Sequence, residues 1–168
     1  TPAAVIGQQD PRGRALVLAE AVSYDMGVQR FVRTVLKPLL YDRFSGAPVI
    51  VVVDPAGVQR AQTDERSAVD IIKAEGLRVM PARTNSITSR IAAVDDYLMR
   101  QVDGDPGLLI DPSCMRLKAA MMGGYRFKKN GDGLEKGGDA GKHSHIGDAI
   151  SYLCLHIGSI DSGAMLNQ

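Results

Sequence analysis

Along this chain the apolar positions switch between a period of two and a period of about 3.6, and each switch marks an element. Residues 3–8 form a strand-like apolar run, Asp10-Pro11-Arg12-Gly13 has turn chemistry, and residues 14–22 form a second strand. The chain therefore opens with an antiparallel hairpin. Leu16, Leu18 and Glu20 share one face of the second strand, while Val17, Ala19 and Ala21 share the other. Val28, Phe31, Val32, Val35, Leu36 and Leu39 recur at helical spacing and predict a helix over 27–41, whose regular part Pro38 kinks or ends. Residues 48–53 are continuously apolar and rich in β-branched side chains, as expected of a central strand buried on both faces.

Beyond this strand, helices and strands alternate. The pattern predicts a helix over 64–75 stopped by Gly76, a strand over 77–80, a helix over 86–102 and a strand over 107–110. A helix over 113–122 and a strand over 125–129 lead into a Gly- and Lys-rich loop. The last helix, over 144–157, turns Ile146, Ile150, Leu153 and Ile157 to the core. An opening hairpin followed by alternating helices and strands makes an α/β sandwich. No G-x-G-x-x-G follows the first strand and no P-loop is found, so a dinucleotide fold and a nucleotide-driven motor do not fit this chain.

Composition changes this picture little. At 168 residues the chain fits one domain, and its net charge of +1 argues neither for nor against nucleic acid. Cys114 and Cys154 lack metal-ligand spacing and read as core thiols in a reducing compartment. No run reaches the roughly 20 apolar residues of a membrane span, so the chain reads as soluble and intracellular, with no membrane partner. It enters a strand at Thr1-Pro2-Ala3 without an initiator methionine, which reads as an excised domain.

Three places could carry chemistry. Asp54 ends the most apolar strand, where carboxylates of parallel strands project into a ligand crevice; Asp54-Pro55-Ala56-Gly57 also fits a plain turn. His145 and Asp148 stand at i and i+3 on the last helix and can share a face, with Gly147 leaving room beside the carboxylate; an Asp favoured by the helix dipole and an exposed His fit as well. Glu20 either supports the same site or marks the solvent end of its strand. Carboxylates gathered from separate elements suit Mg²⁺ or Mn²⁺, and two such ions can promote phosphodiester cleavage. Arg126, Lys128, Lys129, Lys136 and Lys142, on or beside the Gly-rich loop, are candidates for DNA phosphate contacts or a solvated surface. Tyr125 and Phe127 fit base stacking or core. Arg83, Thr84, Asn85 and Arg90 fit phosphate contacts, although Asn85 or Ser86 also fits a helix cap.

Taken in order, Thr1-Pro-Ala-Ala-Val-Ile-Gly-Gln, Val-Val-Asp54-Pro-Ala-Gly, Thr84-Asn-x-Ile87-x-x-Arg90-Ile-Ala-Ala-Val, Gly-Gly124-Tyr-Arg-Phe and His145-x-x-Asp148-Ala-x-x-Tyr152-Leu resemble the C-terminal nuclease half of phage terminase large subunits. The resemblance spans nearly the whole chain. It implies a ribonuclease H-like mixed central sheet flanked by helices, two Mg²⁺ or Mn²⁺ ions, and endonucleolytic cutting of concatemeric double-stranded DNA. Asp54 and Asp148 map onto two of the family's metal-binding carboxylates, with His145 as an adjacent ligand or orienter. The third, in an Asp-x-Gly segment, would precede Thr1, so the isolated fragment is expected to bind metal weakly or be inactive. The implied partners are double-stranded DNA, the ATPase domain of the same full-length chain, the small terminase subunit and the portal protein, in the host cytoplasm.

The sequence reading is thus a single truncated nuclease domain without its ATPase motor, with catalysis by Asp54, Asp148 and His145. Asp54→Ala and Asp148→Ala are each expected to abolish Mn²⁺-dependent cutting while leaving the fold. Rival readings are another ribonuclease H-like enzyme such as a junction resolvase or transposase, a non-catalytic DNA- or protein-docking domain, and a small-molecule-binding module.

Overall fold

The computed structural model describes residues 1–58, 60–61, 64–126 and 138–165. The opening hairpin pairs β1 (Ala3–Gln9) with β2 (Ala15–Val22) antiparallel, and the register shifts between Ile6 and Gly7. Its turn closes on Asp10, whose Oδ1 accepts from the Arg12 and Arg14 amides at 2.9 Å each, with Gly13 at φ +84°. Ala15, Val17, Ala19 and Ala21 of β2 are buried, so of the two faces that the alternation separates, the one carrying Val17 is the inner one.

Helix α1 (Val28–Phe31) passes through a widened π-type turn (Val32–Leu36) into α2 (Lys37–Phe44) without a break. The turn explains how the helix tolerates Pro38. Proline has no N–H to give the preceding turn, and a widened turn absorbs the missing bond where a regular helix would kink. Phe31, Val32, Leu36 and Leu40 form the buried face.

Strand β3 (Ile50–Val53) pairs in parallel with β6 (Arg78–Pro81). Between them lie a 3₁₀ turn (Pro55–Val58), the short antiparallel pair β4 (Arg60–Ala61) and β5 (Asp64–Ser67), and helix α3 (Ala68–Ala74). The helix expected from residue 64 starts later because Ser67 and Asp70 form a capping box that fixes its first turn there. Helix α4 (Ile87–Met99) starts on Ser86 as N-cap and stops short of residue 102. A small hairpin follows, β7 (Gln101–Val102) and β8 (Asp105–Pro106), turning through Asp103 and Gly104 at positive φ. Strand β9 (Leu108–Ile110) joins β2 in parallel. Helix α5 (Met115–Ala119) runs into a second π-type turn (Ala120–Gly124), and the long helix α6 (Gly138–Met165) replaces the shorter one expected over 144–157. Of the strand expected over 125–129, Tyr125 and Arg126 are not extended into a sheet, and 127–129 lie outside the described residues.

The molecule is mixed α/β, with helices on both faces. Ala3 and Val5 of β1 face the core that α4, α5 and α6 supply through Val94, Tyr97, Leu117, Ile146, Ile150 and Cys154. Ala4 and Ile6 face the opposite core, built on Phe31, Val32, Leu36 and Leu40, which Val51 and Val53 of β3 also join. Helix α6 seats tightly on the hairpin at Gly7, where a Cβ would stand 2.6 Å from Leu153 Cδ2 and 2.6 Å from the Leu16 carbonyl oxygen.

The expected single central sheet is divided. Its larger pieces are β1-β2-β9 and β3-β6, and no backbone hydrogen bond joins β1 to β3 among the described residues. Strand β3 is consequently not buried on both faces: Ile50 is 41% exposed, and Val51, Val52 and Val53 are half-buried. No helix among the described residues is long and apolar enough to cross a membrane.

Both cysteines are free and buried, in line with their reading as core thiols. Burial, helped by the Asp96 charge, pushes the Cys154 thiol up to about 12, and burial also raises Cys114. Neither is expected to react with a disulfide reagent at pH 8 in the folded protein. Both should react fully in denaturant, and rapid labelling of either in the native state would contradict this packing.

Candidate functional site

Asp54 follows the last residue of β3, at the C-terminal end of a parallel strand pair. It is exposed. Its Oδ1 accepts from the Ala56 amide at 2.8 Å, and its carbonyl accepts from the Gly57 amide at 2.8 Å. The two sequence readings of Asp54 are therefore compatible, since the residue caps a turn and also projects beyond the strand end.

Asp148 stands on α6 in a denser setting. Its Oδ1 accepts from Arg90 Nη1 at 2.7 Å and from the Tyr125 hydroxyl at 2.8 Å. The Arg90 side chain is 8% exposed and that of Asp148 25%. Arg90 also donates to Ser151 Oγ at 3.2 Å, and the Ser151 hydroxyl donates to the Asp148 carbonyl at 2.7 Å. The guanidinium lies 4.6 Å from the centre of the Tyr152 ring. Arg90 Nε and the Tyr152 hydroxyl are buried without a hydrogen-bond partner among the described residues.

Tyr152 links the two carboxylates. Burial first, and then the Asp54 carboxylate, push its phenol above the usual range; the Asp148 charge adds to the rise, while Arg90 opposes it. Its hydroxyl thus feels Asp54 without closing a well-formed bond to it. Tyr125 is raised by burial and then by its bond to Asp148. For Arg90, burial alone would lower the pKa, but the Asp148 partner outweighs it and the net shift is upward.

Close packing fixes this geometry. A Cβ on Gly147 would stand 2.2 Å from Tyr125 Cδ2, and one on Gly124 would stand 2.6 Å from His143 Cδ2. The room beside Asp148 that Gly147 provides is therefore taken by the Tyr125 ring, which settles the reading of Tyr125 in favour of core.

The remaining candidates separate. His145 is exposed on α6, and Asp54, His145 and Asp148 do not form one ligand cluster: among the described residues no group of three or more His, Cys, Asp or Glu is placed to hold a metal. Glu20 directs Oε1 to the Arg116 amide at 2.9 Å and Oε2 to the Leu117 amide at 2.7 Å, so both its oxygens are committed to the first turn of α5. Arg126 and Lys142 are exposed, while Lys128, Lys129, Lys136 and Phe127 lie outside the described residues. Arg126 borders a cavity of about 210 Å³ between α4 and α6 that Ile91, Val94, Leu98 and Ile150 make mainly apolar.

A hard divalent ion suits this donor set in part. Asp54 and Asp148 supply carboxylate oxygens, each retaining an Oδ2 outside the bonds described above, and Mg²⁺ or Mn²⁺ completes its shell with water. Two ions would require a further carboxylate.

The sequence reading underrated Arg90 and Tyr152. Arg90 is in helical phase with Val94 and Tyr97, the other buried residues of α4, and a charge in phase with an apolar stripe demands a partner. That signal was present in the sequence; the identity of the partner was not. No family model, curated protein or solved structure matches the chain.

Proposed function

We propose that this chain is the ribonuclease H-like, metal-dependent nuclease domain of a phage terminase large subunit, cutting concatemeric double-stranded DNA during genome packaging. The observation that carries this reading is that Asp54, at a parallel strand end, and Asp148, on the last helix, both act electrostatically on the Tyr152 phenol. Support also comes from the order of the elements, an opening hairpin followed by alternating helices and strands.

In this reading Asp54 and Asp148 would hold a hydrated Mg²⁺ or Mn²⁺, without His145 in the same ligand cluster. The ion supplies Lewis-acid activation and charge neutralisation at the phosphate. Arg90 and Tyr125 hold Asp148 in one orientation. A second ion would need a further carboxylate. Arg126, Lys142 and the loop lysines would contact DNA phosphates. The ATPase domain of the same full-length chain, the small terminase subunit and the portal protein would be partners in the host cytoplasm.

The test is plasmid cleavage by the intact protein in Mn²⁺. Asp54→Asn and Asp148→Asn, which keep the side-chain shape, should each lower the rate by roughly a hundredfold or more. Parental rates in both variants would remove the assignment.

One observation favours a second reading. Asp148 is already neutralised by Arg90, as in a structural ion pair, which suits a DNA- or protein-docking domain. Metal-independent DNA binding without cleavage would favour it.

A further inference from the structure

We propose that the cleft between the end of β6 and α6 is a phosphate-binding subsite, in which Arg83 and His156 hold one phosphate of a DNA backbone. The phosphate chemistry stands on the cleft alone, and DNA as its source rests on the nuclease reading. A cavity of about 140 Å³ opens there, lined by Met80, Pro81, Leu155 and three polar residues, Arg83, His156 and Ser159. Its place in the fold follows from the parallel pairing of β3 with β6, which sets the C-terminal ends of both strands side by side. The Ala82 amide donates to the Val53 carbonyl at 2.8 Å, so the chain leaves β6 next to Asp54 and delivers Arg83 one residue later. On α6, Tyr152, His156 and Ser159 recur at spacings of four and three and share a face. The Tyr152 hydroxyl feels Asp54, and His156 stands one turn further along. The cleft therefore lies at the sheet end where α/β proteins take their ligands.

The donors in this cleft suit an anion. Neither the Arg83 guanidinium nor the His156 imidazole enters a hydrogen bond or ion pair among the described residues, whereas Ser159 commits its hydroxyl proton to the His156 carbonyl at 2.6 Å. Both free groups offer N–H donors, and no carboxylate among the lining residues neutralises them. Met80, Pro81 and Leu155 form an apolar wall, which strengthens a charge-assisted bond by keeping water back. Pockets for whole small molecules run to roughly 300–1,000 Å³, so this one suits a single group of a larger ligand. A phosphate within a polymer is such a group, and the planar guanidinium fork matches its oxygens.

The experiment measures binding of a short blunt DNA duplex by fluorescence anisotropy in EDTA across a salt series, so that neither metal nor cleavage enters. Arg83→Gln should weaken binding about tenfold. It should also flatten the slope of log affinity against log salt by about 0.9, the share of one phosphate contact. His156→Phe, which keeps a ring and loses the N–H groups, should weaken binding severalfold. Arg30→Gln is the control, because Arg30 is also exposed and outside the ion pairs described but stands on α1; it should stay close to the parent. Arg83→Gln and Arg30→Gln remove no contact of the fold and should melt with the parent. Should His156→Phe not fold, Arg83→Gln decides alone. Inorganic phosphate, titrated by calorimetry against the parent and Arg83→Gln, separates a polymer from a free phosphate compound.

Loss of DNA affinity in Arg83→Gln but not in Arg30→Gln supports a backbone phosphate in the cleft. Parental DNA affinity together with lost phosphate binding supports the subsite and overturns DNA as its source. Parental values of both, or equal losses of DNA affinity in Arg83→Gln and Arg30→Gln, overturn the subsite. Mn²⁺-dependent cleavage by the parent alongside that result rejects the subsite and leaves the nuclease reading standing. The expected DNA result, with no cleavage by the parent at any Mn²⁺ concentration, supports the subsite and rejects the nuclease.

Discussion

Asp148→Ala is expected to lower the unfolding free energy by about 3 kcal/mol, read as a shift of the urea midpoint at unchanged slope. The size follows from what remains behind. Arg90 would keep its charge at 8% side-chain exposure with no carboxylate opposite, and the Tyr125 hydroxyl would lose its acceptor. Breaking one half of a buried pair costs about 3–5 kcal/mol, and the partial exposure of Asp148 places this case at the lower end. Combining Asp148→Ala with Arg90→Met should recover much of the loss, because no buried charge is then stranded. A loss below about 1 kcal/mol for Asp148→Ala would mean that the pair is not held as described. For Asp148 this expected loss departs from the expectation that alanine leaves the fold intact, and asparagine is the better probe of its chemistry. For exposed Asp54 the same expectation is kept, because its side chain does no more among the hydrogen bonds described than cap a local turn.

Gly147→Ala is the second large effect, and its sign runs against helix propensity. Alanine in place of glycine inside a helix ordinarily stabilises by about 1 kcal/mol. Here the added Cβ would meet Tyr125 at 2.2 Å from Cδ2 and 2.4 Å from Cγ, close to the root of the ring rather than its movable end. Tyr125 cannot easily retreat, because its amide is bonded to the Ala120 carbonyl at 2.9 Å. Overpacking should win, with a net loss of roughly 2 kcal/mol and a melting point about 4–8 °C lower. Displacing the ring also takes the phenol out of its buried setting and away from Asp148, the largest causes that raise its pKa. Ultraviolet titration should therefore show one tyrosine ionising at lower pH than in the parent. A variant as stable as the parent, with an unchanged tyrosine titration, would refute the contact.

Local pattern made much of the architecture legible. Alternation separated the two faces of β2 without telling which is buried, helical spacing gave Phe31, Val32 and Leu36, and Ser86 was among the caps proposed for α4. Asp54 could be found because a polar residue ending a run of branched apolar ones is conspicuous. What escaped the sequence depends on distant partners. Glu20 carries no local sign that two amides of α5, nearly a hundred residues later, take both its oxygens. Arg90 and Asp148 are 58 positions apart, so their pairing follows only from how α4 packs on α6. The exposure of β3 was likewise unreadable, since an apolar run reports the burial a strand needs and not the neighbours it obtains.

The edge of β3 away from β6, unpaired among the described residues, also bears on how the chain behaves at high concentration. A strand edge without a partner is a template on which another chain's strand can form backbone bonds. Residues 49–53, Val-Ile-Val-Val-Val, contain no charge, proline or glycine, and Ile50 is 41% exposed. Natural sheets protect such edges with lysine, proline or a bulge, and none of these lies within this run. Self-association of this protein would thus start at a sheet margin while both helical layers remain folded, making solubility a property of that margin rather than of net charge.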